Sequence, residues 1–246
     1  MRTMETEEPL AVAAVEAIHA GNIDALKRLL SKNPDLATAR LANPTDGGMS
    51  RTLLHVATDW PGNFPNGAAT VAALISYGAD VNARFTGPHT ETPLHWAASS
   101  DDVAVLTALL DHGADIEAPG AVIADGPPLA DAVAFGQWKA ARRLIERGAK
   151  ATLGQAAALG LIDRVEAHFG AEVTPTPEEV TRAFWSACHG GQPETAEYLL
   201  GRGADINWIG WDGLTPIQAA SRSGAAEMVE WLRTRGAKPS PTPERK

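Results

Sequence analysis

Apolar positions recur along this chain at helical spacing, in short runs that come in pairs. Over residues 92–118, TPLHWAASSDDVAVLTALLDHGADIEA, Leu94, Ala97 and Ala98 make one apolar face of mostly small side chains, and Val103, Leu106, Leu109 and Leu110 make a second stripe. Ser99, Ser100 and the Asp101-Asp102 pair separate the two runs, and the acidic pair suits the positive end of a second helix. Thr92 and Pro93 mark the start of the first helix. Gly113 stops the second, because glycine readily takes the left-handed conformation just beyond a helix end. The pattern predicts helix, turn, helix, glycine stop and an extended exit.

The same unit recurs. Gly-Ala pairs begin at Gly78, Gly113, Gly148, Gly203 and Gly236, with spacings of 35, 35, 55 and 33 residues, so the long interval holds more than one unit. TPLHWAA followed by VLTALLDHGADIEA resembles an ankyrin repeat, with its T-P-L-H-x-A signature and period of about 33 residues. The resemblance implies an all-α fold of helix pairs with β-hairpin connections, a solenoid of about seven repeats including degenerate caps. It points to a stand-alone, bacterial-type member of that family.

On this pattern residues 1–7 are a frayed tail, 8–238 a single domain and 239–246 a disordered tail rich in proline and charge. The repeats fall near 8–42, 48–84, 85–118, 119–150, 151–173, 174–207 and 208–238. Several depart from the signature. TLLHVA in the second repeat carries Leu53 for proline, and five extra residues fall in DWPGNFPNG between its helices. Such an insertion, with Trp60 and Phe64 beside two prolines, is expected to fold rather than flap. RFTGPHTE and PGAVIADG predict two successive long hairpins that form a raised wall, whereas the fifth repeat leaves almost no room for one. Ala130, Trp185 and Gln218 replace the signature histidine in repeats four, six and seven.

Composition removes several functions. A net charge of −9 and the lack of a dense Lys/Arg run argue against nucleic-acid binding. No apolar stretch is long enough to span a bilayer, and the acidic opening MRTMETEEPL does not read as a secretory signal, so no membrane partner and a cytoplasmic setting are expected. Cys188 is the only cysteine, which rules out an intramolecular disulfide and a cysteine-rich zinc site. His89-Thr90-Glu91 contains half of the zinc-deaminase signature without its P-C-x-x-C half, and H-E-x-x-H, Walker and G-x-S-x-G motifs are absent. No metal or cofactor is predicted.

The resemblance places binding at hairpin tips and on the exposed side of the first helices. On this chain the tips offer His89, Glu91, Asp125, Trp211 and Asp212, and the helix surfaces offer Asp59, Ser99, His189 and Arg222. Trp60 and Trp208 lie outside regular helices, where a large aromatic needs covering or a ligand, and Trp96 and Trp185 can line the groove from beneath. The signature histidines His55 and His95 are structural braces by the same resemblance, while Trp138 and Trp231 fall on core faces and His112 and His168 on solvated ones. Cys188 reads as a small buried side chain.

Two functions follow. The first is a non-catalytic protein that recognises a protein partner through a concave groove and its hairpin tips. The second is a binding protein or enzyme for a small polar molecule such as a carbohydrate, a hydrolase, lyase or isomerase. There His89, Glu91, Asp59, Asp125 and Asp131 supply a general acid and base, because burial and mutual repulsion push such pKa values apart. The bland reading of that cluster is that Asp131 holds hairpin amides and the others are solvated.

Overall fold

The computed structural model describes residues 2–43, 45 and 47–240. The expected disordered tail from 241 onward lies outside the described residues, as do Pro44 and Asp46 of the expected loop at 43–50. Among the described residues, fourteen α-helices are arranged as seven consecutive pairs. They are α1 Pro9–His19 with α2 Ile23–Lys32, α3 Leu53–Thr58 with α4 Gly67–Ser76, α5 Pro93–Ser99 with α6 Val103–Asp111, and α7 Pro128–Ala134 with α8 Trp138–Glu146. After these come α9 Leu153–Ala158 with α10 Ile162–Phe169, α11 Pro177–His189 with α12 Pro193–Leu200, and α13 Pro216–Arg222 with α14 Ala226–Thr234.

Backbone contacts group the chain into two compact units, Met1–Ala149 and Lys150–Lys246, where the sequence predicts one continuous domain. In the first unit, leucines from successive pairs, Leu54, Leu74, Leu94, Leu106, Leu129 and Leu144, are fully buried. In the second, Phe184, Val165, Leu199 and Leu232 pack with a run of alanines around Cys188, the small buried side chain expected from sequence. Small residues on the first helix let neighbouring pairs approach closely. Gly190 shows the limit of that approach, because a methyl there would overlap the Ala158 carbonyl of α9.

Residues 2–7 are tied into the fold, which for them corrects the expectation of a frayed tail at 1–7. Thr3–Glu5 forms β1 and pairs in parallel with β2, Arg40–Ala42, which pairs antiparallel with β3, Ser50–Thr52. Burial is the reason: Met4 is 1% exposed, Leu41 lies beside it at 2%, and the Glu8 carboxylate accepts the Glu5 amide at 2.8 Å.

The hairpin loops are short ladders closed by a few bonds. Phe85 N–H donates to Glu91 O at 2.7 Å, Ala121 N–H to Gly126 O at 3.0 Å and Gly210 N–H to Leu214 O at 2.9 Å. Loops 77–92 and 112–127 are the long pair predicted, and they are joined by Thr90 N–H to Gly120 O at 3.3 Å. Arg84 Nη1 bridges them by donating to the Thr90 carbonyl at 3.1 Å and to the Pro119 carbonyl. Only residues 147–152 lead into α9, and only 170–176 lead into α11. In compensation α11 begins two turns early: it runs from Pro177 to His189, whereas α5 runs from Pro93 to Ser99.

Candidate functional site

The signature histidines are braces. His55 Nδ1 accepts the Thr52 amide at 3.3 Å, and Nε2 meets the Glu91 carbonyl at 3.1 Å. His95 repeats this with the Thr92 amide at 3.1 Å and the Gly126 carbonyl at 3.2 Å. A carbonyl only accepts, so each ring holds its proton on Nε2 and is neutral. Burial pushes the His55 imidazole down to about 3 and that of His95 down to about 4. Where Ala130 stands in the fourth repeat there is no ring to reach onward, and the loop it would have held is the short link at 147–152.

Trp185 lines its loop from beneath, as a brace. Its Nε1 donates to the Leu214 carbonyl at 2.8 Å, and the residue is 5% exposed. Above it Trp211 packs edge-on at 5.1 Å, and Trp208 packs edge-on against Trp211 at 5.6 Å. Trp211 remains half-exposed beside Ile209. Asp212 is tied to Arg222 at 2.5 Å. His189 is buried, with its ring near Trp185 and its Nδ1 at 2.7 Å from the Ser223 hydroxyl, so it belongs to the interior rather than to a groove surface. Trp96 is half-buried and packs on His55 at 4.9 Å and on Phe85 at 5.4 Å. Trp231 is a core-edge residue with the Arg235 guanidinium 4.0 Å above its ring, and Trp138 is half-buried at the start of α8.

The acid-histidine cluster assembles in part. Asp131 is 1% exposed; its Oδ1 accepts the Ile123 amide at 3.2 Å, and its Oδ2 has no hydrogen-bond partner among the described residues. Burial pushes its carboxyl up to about 6, with Glu91 adding to the rise while the Ile123 and Val122 amides and His89 oppose it. Glu91 and His89 thus act on Asp131 through charge, while its bonded partner is the Ile123 amide of the loop. Asp125 acts on His95 instead, from the neighbouring loop. Asp59 is drawn away: it pairs with Arg51 at 2.5 Å and acts on His19.

The insertion of the second repeat is folded, as expected, and fastened on both sides. Asn66 Nδ2 donates to Gly21 O at 3.0 Å, and Phe64 stacks on His19 at 4.4 Å. On the other flank the Asn63 amide donates to Asp102 Oδ2 at 2.8 Å. Trp60 projects from this clamped loop 81% exposed.

Three features stand outside the residues the sequence singles out. Arg40 donates to the Ser50 hydroxyl and carbonyl and to Arg84 O and Thr86 Oγ1, all within 2.9 Å, joining β2 and β3 to the next loop. The His19–Phe64 stack is the second. The third is a cavity of about 490 Å³ in the second unit, where Thr174, Arg182, Ser186 and Trp211 share the lining with His168, read from sequence as solvated. The detectable clue for the cavity was the missing hairpin before α11, which leaves that side of Trp211 open.

Residues 66–155 and 153–242 each match the family described as Ankyrin repeats (3 copies). The chain belongs to the ankyrin-repeat family. It is similar to Ankyrin repeat and KH domain-containing protein CBG24701 of Caenorhabditis briggsae, 30% identical over 96% of this chain and 9% of that protein. It is also similar to mask-1 of Caenorhabditis elegans, another protein described by ankyrin repeats and a KH domain, 29% identical over 69% of this chain and 6% of that protein. The chain thus spans less than a tenth of the length of these relatives. Among solved structures, the human ASB11 ankyrin repeat domain shares the fold with a TM-score of 0.53 at 20% identity, covering 92% of this chain and 98% of that one. Helix pairs in an ankyrin-repeat solenoid are therefore the fold class, as the sequence predicts. No helix among the described residues is long and apolar enough to cross a membrane.

Proposed function

We propose that this chain is a non-catalytic recognition protein that captures a protein partner through its loop tips and the exposed faces of its first helices. Ankyrin repeats are generally protein-interaction modules. The observation that carries the reading is the presentation of large apolar side chains on fastened loops: Trp60 at 81% exposure on the doubly clamped insertion, and Trp211 at 50% on a closed loop. Side chains held this way lose little entropy on binding and serve as interface anchors. The lone buried cysteine and the acidic composition fit a cytoplasmic setting.

The test is capture from lysate of the source cells on immobilised protein, compared with the Trp60→Ala/Trp211→Ala double variant. Partners held by the parent and lost at least tenfold by the variant are expected. Equal capture by both removes the aromatic anchors from the interface. A second reading, a small polar molecule held among Glu91, Asp131 and His89, is supported by the raised carboxyl of Asp131. It is checked by thermal unfolding across sugars and metabolites, where a ligand at about 100 times its Kd adds roughly 2.7 kcal/mol. A uniformly silent panel leaves the first reading alone.

A further inference from the structure

The cavity of about 490 Å³ lies wholly in the second unit, on the side where the link before α11 is short. One wall is α11, which lines it with Glu179, Arg182, Ala183 and Ser186, residues three and four apart on one helix face. The start of α9, the 170–176 link and the loop tip bearing Trp211 complete the lining. Val173, 85% exposed, and Trp211, 50% exposed, are large apolar side chains left uncovered there. Trp211 packs edge-on at 5.1 Å against Trp185, the sequence neighbour of Ser186, which puts it at the Ser186 end of the wall.

Gly154 shows that the space is kept open. It is the second residue of α9, inside a helix, where glycine is less favourable than alanine. Its φ is not positive, and a methyl there would meet Ser186 with Oγ at 3.4 Å, an ordinary contact. Neither backbone nor packing therefore calls for glycine; what it secures is room in the cavity beside Ser186.

The polar groups decide what fits. Glu179 is committed to the helix start, where its Oε2 accepts the Thr176 amide at 2.8 Å and the Thr176 hydroxyl at 2.9 Å. Glu178 shares that first turn, and the positive end of α11 answers both acids. Glu178 also meets Arg182 Nη2 at 2.5 Å, an exposed pair one turn apart of the kind that holds weakly. The Arg182 guanidinium has further N–H donors, and a carboxylate is the planar group that matches them. Ser186 gives its own proton to the Arg182 carbonyl at 3.1 Å and so offers a ligand N–H an acceptor. Arg182 and Ser186 are about 6 Å apart along the helix, and alternate residues of an extended chain are about 6.7 Å apart. An acid and an apolar side chain two positions apart on an extended peptide reach Arg182 and Trp211 together.

We propose that this cavity receives an extended acidic segment of a protein partner, its carboxylate bonded to Arg182 and a large apolar side chain two positions away laid against Trp211 and Val173. This rests on the protein-recognition reading above and names the chemistry of the segment recognised. The net charge of −9 does not steer an acid toward the cavity, so recognition is by contact.

The experiment is calorimetry of the full chain with three synthetic peptides at fixed ionic strength. The first has a central glutamate with leucine two positions to either side, the second replaces the glutamate by glutamine, and the third replaces both leucines by alanine. The first is expected to bind at least tenfold tighter than either other peptide. Arg182→Gln, an exposed change, is expected to erase the preference for glutamate over glutamine. Gly154→Leu fills the cavity and is expected to weaken the first peptide at least tenfold with no fall in melting temperature; if the melting temperature falls, Arg182→Gln decides. Equal affinity for all three peptides, no binding, or a glutamate preference undiminished in Arg182→Gln overturns the proposal. Silent peptides with lysate capture still dependent on Trp60 and Trp211 remove the acidic segment and keep the recognition reading, whereas capture indifferent to those tryptophans removes both.

Discussion

Trp185 and Leu214 are joined by an indole N–H donated to a backbone carbonyl at 2.8 Å, the same bridge that His55 makes to Glu91 and His95 makes to Gly126. In all three, a side chain on a first helix holds the carbonyl of the residue just before the cap of the next first helix. Where a loop is braced in this way, the brace is a buried N–H donor of suitable reach. Gln218 shows a further variant: its Oε1 accepts the Thr215 amide at 3.0 Å, as Nδ1 of His55 and His95 accept theirs, and it also accepts the Ser240 amide at 3.1 Å.

Replacing Trp185 by Phe keeps an aromatic ring but removes one of the two donors to the Leu214 carbonyl, which retains the Gly210 N–H. Losing one such hydrogen bond costs about 0.5–1.5 kcal/mol, so Trp185→Phe is expected to lower unfolding free energy by that amount in urea titration. An unchanged midpoint would mean that water replaces the indole.

The braced histidines make the first unit acid-sensitive. Their pKa values are lowered to about 3 and 4 from 6.5, so between those values and 6.5 the unfolded chain binds more protons than the folded one. Their stabilising contribution is present above pH 6.5 and is lost as pH falls through that window. Asp131 runs the other way: raised to about 6 from 3.8, it contributes most below 3.8, and that contribution is lost as pH rises through 6. His95→Gln, which copies the residue type of the last repeat, is expected to flatten the melting-temperature decline between pH 6.5 and 4. A slope equal to the parent's would assign the acid sensitivity elsewhere.

Asp102 serves two elements at once, with Oδ1 accepting the Val105 amide at 3.1 Å and Oδ2 the Asn63 amide at 2.8 Å. Asp102→Ala removes a helix cap worth about 1 kcal/mol and one tether of the insertion. Limited proteolysis between residues 59 and 67 is expected to accelerate more than global unfolding does. Equal acceleration of both would show that the insertion is held without Asp102.

Gly190 ends α11 against the Ala158 carbonyl, at an ordinary negative φ, so space rather than backbone freedom demands glycine. Gly190→Ala is expected to destabilise the second unit by more than about 2 kcal/mol, in the range of overpacked cores. A loss below 0.5 kcal/mol in denaturant titration would mean that α9 and α11 separate easily.

Periodicity made the helix pairs legible because each buries a stripe of Leu, Val and Ala at 3.6 spacing, and the glycine stops bounded them. Trp185 was legible as a histidine replacement by counting back from its turn. The N-terminal strand was hidden because three residues have no periodicity, and only burial of Met4 reveals it. The candidate acids were legible as a set but not in their pairing: nothing local to Asp59 shows that Arg51 reaches it first, or to Asp125 that its charge acts on His95. Such pairings depend on contacts between repeats, which spacing within a repeat does not encode.

The early start of α11 changes the kind of language in which a surface can be read. Loops such as 77–92 meet their neighbours through backbone amides and carbonyls, Thr86 with Ser50 and Thr90 with Gly120, a pairing with little regard to side chains. A helical turn has already satisfied those groups internally. From Glu179 to Ser186 the chain therefore offers a neighbour only side-chain chemistry, and a partner there must be selected residue by residue.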